Sequence, residues 1–78
     1  MNTTLHVTVK LFATLREGRF SMRAMELAAG STVADVARIL AIPQEEVALI
    51  MVNHRHRDMD HVLADGETLA LFPPVGGG

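Results

Sequence analysis

Residues 5–12, LHVTVKLF, alternate from one end to the other. Leu5, Val7, Val9 and Leu11 fall on one face of an extended chain, with His6, Thr8, Lys10 and Phe12 on the other. This pattern predicts a strand with one buried face. ATLREG then breaks the alternation and ends at Gly18, a turn signal. FSMRAMEL predicts a second strand, with Phe20, Met22 and Ala24 opposed to Arg23 and an irregularity near Met25. The short gap between the two strands predicts an antiparallel hairpin.

GSTVADVARILAI changes period. Val33, Val36, Ala37 and Leu40 recur at i, i+3, i+4 and i+7, the stripe of a helix packed on a sheet. Thr32 is the expected N-cap, and Asp35 completes an acidic form of the capping box. Pro43 is expected to stop the helix and to open a single turn through Glu46. VALIMVN is an almost unbroken apolar run, expected to be a deeply buried strand. HRHRDMDHVLADGE is polar, with a turn at Asp65-Gly66 and room for a short strand. TLALF is the last strand, with Leu69 and Leu71 opposed to Thr68, Ala70 and Phe72. One helix crossing a mixed sheet of four or five strands is an α+β β-grasp roll.

Composition narrows the chemistry. The 78 residues make one domain, over 1–72, followed by a tail over 73–78. With no cysteine, disulfides, thiolate metal sites and cysteine catalysis are excluded. The formal charge of −2 is spread along the chain without a basic stripe, so no nucleic-acid partner is expected. No segment has the apolar length of a membrane span or the pattern of a signal peptide, so a cytoplasmic protein is expected.

The tail, PPVGGG, carries the candidate chemistry. Pro73 and Pro74 extend the chain in polyproline geometry, away from the body. From Pro73 to Gly78 it reaches on the order of 20 Å. Its glycines lack Cβ atoms and fit a channel too narrow for side chains. A carboxylate with a pKa of about 3.5 is a poor electrophile at neutral pH and must be activated, most simply by adenylation with ATP. Neither GxxxxGK[ST] nor GxGxxG occurs, so the nucleotide belongs to a partner. Fixing three glycines costs roughly 3–6 kcal/mol. A docking face on the folded body is therefore expected. Phe12 and Phe72, on the outer faces of parallel neighbouring strands, are its candidate anchors.

VKLFATLREG resembles the opening signature of the MoaD/ThiS family of ubiquitin-like sulfur carriers. Val52-Asn53, Asp60-His61, Leu63, Asp65-Gly66-Glu67 and the PPVGGG terminus match the family in the same order. The resemblance implies a β-grasp carrier, without catalysis of its own, whose terminal glycine is adenylated and converted to a thiocarboxylate. On this chain the acceptor is Gly78, with Gly77, Gly76, Val75, Pro74 and Pro73 as the threading segment. The prolines point to the small subunit of molybdopterin synthase, which donates sulfur in molybdenum or tungsten cofactor biosynthesis. The implied partners are a ubiquitin-activating-type adenylyltransferase and the synthase large subunit, in an expected heterotetramer. ATP is used by the activating partner, and no cofactor is bound by the chain itself. A carrier for thiamine thiazole or another sulfur metabolite, a ubiquitin-like protein modifier and a plain interaction module are the alternatives. Two positions depart from the family pattern. Val62 stands where proline is frequent, and His56 with Arg57 occupies a short strand expected to flank the docking face.

Other features have plainer readings. His54, His56, Asp58, Asp60 and His61 contain metal-ligand types, but no apolar shell surrounds them, and a solvated hairpin is expected. Met22, Met25, Met51 and Met59 are expected to fill the core. Arg16 and Glu17 are expected to brace the turn after the first strand, and Lys10, the sole lysine, to face solvent or a partner. Disorder is expected from Val75 onward.

Overall fold

The computed structural model describes residues 3–74. Among them, Thr4–Leu11 forms β1, Met22–Ala28 β2, Leu49–Val52 β3, Arg55–His56 β4 and Thr68–Phe72 β5, with helix α1 at Val33–Ile39. Short 3₁₀ turns occupy Ala13–Arg16 and Gln44–Glu46. The strands join one sheet in the order β2-β1-β5-β3-β4. β1 and β5 run parallel at its centre, and the other neighbours are antiparallel. This is the β-grasp roll that the alternation predicts. No helix among the described residues is long and apolar enough to cross a membrane.

The core lies between α1 and one face of the sheet. β1 buries Leu5, Val7, Val9 and Leu11, β5 buries Leu69 and Leu71, and β3 buries Ile50 and Val52. Against them α1 lays Val33, Val36 and Ala37, while Leu15, Ile42 and Leu63 close the ends. Each fully buried Val or Leu contributes about 1.5–3 kcal/mol over its exposed state, which suffices in a core without aromatic bulk. Leu40, the last residue of the predicted stripe, packs on this core half-buried.

The ends of α1 are held by side chains and by loop carbonyls. The Thr32 hydroxyl accepts from the Asp35 amide at 3.2 Å, and the Asp35 carboxylate accepts from the Thr32 amide at 3.0 Å. Two more first-turn donors are satisfied by the 58–63 loop: the Val33 amide donates to the His61 carbonyl and the Ala34 amide to the Met59 carbonyl. Gly66 takes the left-handed position of the following turn, at φ +86°, and the Asp65 carboxylate accepts from the His6 amide at 2.7 Å. At the other end Ala41 adopts φ 57°, a left-handed cap that lets the Ile42 amide reach the Ala37 carbonyl at 2.8 Å.

Four expectations need correction. In β2 the inward residues are Met25 and Leu27, registered with Val7 and Leu5, whereas Met22 and Ala24 pair with Lys10 and Thr8 on the outer face. Phe20 misleads the count because it lies in the turn before the strand, half-buried beneath the Arg23 guanidinium at 4.3 Å. β3 is not buried on both sides: Ile50 and Val52 point inward, while Leu49 is exposed and Met51 half-buried. Of the four methionines, Met25 and Met59 pack on the core and Met22 is exposed. Finally, Arg16 and Glu17 are exposed, and the bracing falls to Arg19. Its guanidinium donates to the Leu15, Leu40 and Ala41 carbonyls at 3.1–3.2 Å, tying the turn after β1 to the end of α1.

Two stability predictions follow from the ends of the helix. Ala41→Gly should stabilise the fold by about 0.5–1 kcal/mol, because the left-handed penalty on alanine exceeds the added chain entropy of glycine. Thermal unfolding should rise by several degrees, and an unchanged or lower midpoint refutes the strain at Ala41. At Asp35, the Thr32 backbone hydrogen bond, aided by Arg38, holds the carboxyl below its usual value of 3.8. A group depressed on folding contributes stability above its unfolded pKa and loses it as pH falls through the folded value. The melting difference between wild type and Asp35→Asn should therefore be largest near neutral pH and shrink below pH about 4. A pH-independent difference would leave the carboxylate no role.

Candidate docking face and the root of the tail

The sheet face opposite α1 follows from the alternation of β1. Every described residue on it is exposed or half-buried. Cross-strand register sets Met22, Lys10, Ala70, Met51 and His56 in one row across all five strands. Leu11 pairs with Leu71 in the parallel β1–β5 ladder, so the next residues, Phe12 and Phe72, emerge side by side. Their rings stack with centroids 4.3 Å apart and planes 9° from parallel. Leu49, registered with Phe72, extends the pair across β3. The apolar run in β3 thus has two causes: one set of side chains fills the core, and the other builds this face.

The backbone around the rings is shaped to present them. The Phe12 amide donates to the Leu71 carbonyl at 3.2 Å, and Ala13 then turns left-handed at φ 54°, carrying the chain off the sheet into the 3₁₀ turn. Phe12 keeps 37% of its surface exposed. On β5 the Phe72 carbonyl accepts from the Ala48 amide at 2.8 Å, the last of the hydrogen bonds that hold that strand. Pro73 and Pro74 follow at once. They line a shallow hollow with Ala13, Thr14, Glu45 and Glu46, so two carboxylates flank the root of the tail. Val75, Gly76, Gly77 and Gly78 lie outside the described residues.

Beside the stacked rings is a cavity of about 230 Å³. Phe12, Phe72, Met51 and Ala70 give it apolar walls, and Lys10, His54 and Thr68 are its polar members. His54 reaches it because Asn53 and His54 both take positive φ, 50° and 68°, in the two-residue turn between β3 and β4. The Asn53 side chain fixes that turn to β5 by accepting from the Thr68 amide at 2.9 Å. His56 stands at the outer end of the Met51 row, exposed. The structure therefore brings Phe12 and Phe72 into contact and sets His56 at the edge of the same face, two strands beyond β5.

Sequence reasoning misses Met51, Met22 and Leu49 as members of this face, because apolar residues in predicted strands default to the core. The usable signal is the second apolar set in LIMV, since a strand with a solvated outer face would carry polar residues there. The histidine-rich loop does not converge. His61 lies against Glu67 at 3.4 Å, and among the described residues no group of three or more histidines and carboxylates is disposed around a metal position.

A five-stranded β-grasp sheet with one helix behind it, and with its last strand running straight into a proline-led tail, defines the ubiquitin-like class of small proteins. The ThiS family model matches residues 9–78, and the chain belongs to that family. Among solved structures it is similar to the Haloferax volcanii HVO 2177 protein, with 30% identity, a TM-score of 0.77, and coverage of 100% of this chain and 91% of that one. It is also similar to the H. volcanii small archaeal modifier protein 1, at 29% identity and a TM-score of 0.71, over 91% of this chain and 99% of that one. A third likeness is to a Helicobacter pylori complex of subunits 1 and 2 of molybdopterin-converting factor, at 26% identity and a TM-score of 0.57, covering 95% and 100%.

Truncating the exposed member of the stack tests whether these rings serve the fold or the surface. Phe12→Ala should cost about 1 kcal/mol in denaturant unfolding, the worth of one aromatic pair plus modest burial. A loss of about 3 kcal/mol or more, the range of a core phenylalanine, would make Phe12 structural instead.

Proposed function

We propose that the chain is a sulfur carrier of molybdopterin synthesis, acting as the small, non-catalytic subunit of a molybdopterin synthase. The observation that carries this reading is the stacked Phe12–Phe72 pair, with Phe12 exposed and Phe72 half-buried, directly beside the proline root of a glycine-ended tail. A tail that costs several kcal/mol to order cannot hold an enzyme by itself. An aromatic anchor at its root supplies the remaining affinity and sets the distance from body to active site. Membership of the ThiS family and likeness to a converting-factor subunit that assembles with a second subunit favour the same reading.

The chemistry belongs to the partners. A ubiquitin-activating-type adenylyltransferase binds ATP, and a Gly78 carboxylate oxygen attacks the α-phosphorus as pyrophosphate leaves. A sulfide-level sulfur nucleophile then attacks the acyl carbon and AMP leaves, giving the thiocarboxylate. That sulfur is nucleophilic at neutral pH, whereas the original carboxylate is a poor electrophile. Gly77, Gly76, Val75, Pro74 and Pro73 thread the tail into the large subunit, where the sulfur passes to the molybdopterin precursor. Phe12, Phe72 and His56 lie on the face presented to the partner.

A second reading, a ubiquitin-like modifier joined through Gly78 to lysines of other proteins, is favoured by the likeness to the small archaeal modifier protein. A thiazole carrier is disfavoured by Pro73 and Pro74, which that branch generally lacks.

The test is the intact mass of the chain co-expressed with its activating enzyme. A species heavier by the difference between sulfur and oxygen, and abolished by deletion of Gly78, is expected. Gly78-linked conjugates to other proteins, with no such species, would replace the carrier with the modifier.

A further inference from the structure

Lys10 occupies an unusual place. It is the only lysine in the chain, and it stands half-buried in the middle of the open face. Its cross-strand neighbours are Met22 and Ala70, and its same-face neighbours along β1 are Thr8 and Phe12. None carries a negative charge. Glu26, the one carboxylate of β2, is registered with His6, four pairs further along the same ladder. Lys10 makes no ion pair or hydrogen bond through its ammonium among the described residues. Lys10 also lines the cavity walled by Phe12, Phe72, Met51 and Ala70.

Water solvates this charge in the free chain. A partner that closes over the aromatic pair must remove part of that water, and an ammonium covered without a counter-charge is strongly unfavourable. The face therefore selects among partners by what they place opposite Lys10. An apolar surface of matching shape would be rejected, and one with a carboxylate beside its apolar side chain would be accepted.

We infer that Lys10 and the adjoining cavity form a specificity site for the activating adenylyltransferase, which seats an apolar side chain in the cavity and an aspartate or glutamate against Lys10. This rests on the carrier reading above, and it also holds for a modifier, because either fate of Gly78 begins with activation. Lys10 is a positioning residue: it fixes the angle at which the body docks, and so the direction in which Pro73 aims the tail. Docking also covers the chain's one side-chain amine while an activated carboxyl group is nearby, which keeps it from being acylated.

The experiment is titration calorimetry of the full-length chain against the activating enzyme from the same genome, without ATP. Lys10→Glu should weaken binding at least about tenfold, Lys10→Met several-fold with a flatter salt dependence, and Lys10→Arg little. Ala70→Leu, which fills the cavity, should weaken binding without altering the salt dependence. Melting curves of each variant check the fold. An independent readout uses the wild-type chain: acetylation of Lys10 by acetic anhydride should slow about tenfold when the enzyme is added, against the α-amino group as internal control. Wild-type affinity for Lys10→Glu, or unslowed acetylation, overturns the inference. If Phe12→Ala abolishes binding while Lys10→Glu does not, the docking face stands and only the charge site falls. If neither matters, docking through this face falls with it.

Discussion

The parallel pairing of β1 with β5 is the constraint on which the rest of this molecule depends. It joins the first strand of the chain to the last, so the core closes only when both are present. Its register, Val9 with Leu69 and Leu11 with Leu71, sets the inner layer that α1 covers. One residue further on, the same register delivers Phe12 and Phe72 into contact on the opposite face. A slip of either strand by one residue would turn that strand over, placing its phenylalanine against the helix and its leucines in water. Fold stability and presentation of the aromatic pair are thus consequences of one ladder.

Much of this ladder is legible in the sequence because β1 and β5 alternate without error. Given two such strands and a single amphipathic helix between hairpins, few arrangements bury every apolar stripe. The capping box at Thr32 and Asp35 is equally readable, since both hydrogen bonds are local. β2 is harder. It is an edge strand whose only fully buried residue is Leu27, so neither face outweighs the other and the phase must come from its partner. Arg19 is harder still: its contacts with Leu40 and Ala41 span about twenty residues, and nothing local separates it from Arg16.

The site was legible in part, for a related reason. Phe12 and Phe72 stand out because aromatic residues are scarce and both fall on the polar side of an alternating strand. Met51 and Leu49 do not, because an apolar residue in an apolar run carries no sign of which way it points. Only the register with Ala70 and Phe72 reveals that half of β3 faces outward. The opening made by Asn53 and His54 at positive φ is similarly tertiary, since the Asn53 side chain commits to Thr68 of another strand.

On the proposed carrier function, the position of the docking face relative to the tail has its own physical reason. A glycine thread gains specificity for a narrow channel by giving up side-chain contacts, so its ordering must be offset by surface elsewhere. If that surface lay across the molecule, the partner would have to span the body, and the tail's reach of on the order of 20 Å would be consumed in going around it. Placing the aromatic pair at Phe72, immediately before Pro73, makes anchor and thread consecutive in the chain. The prolines then have a function that glycine could not perform. With restricted φ they add little entropy to be lost on binding, and they carry the direction fixed by the sheet into the first part of the tail. The direction in which Pro73 leaves the sheet is thus referred back to the β1–β5 ladder.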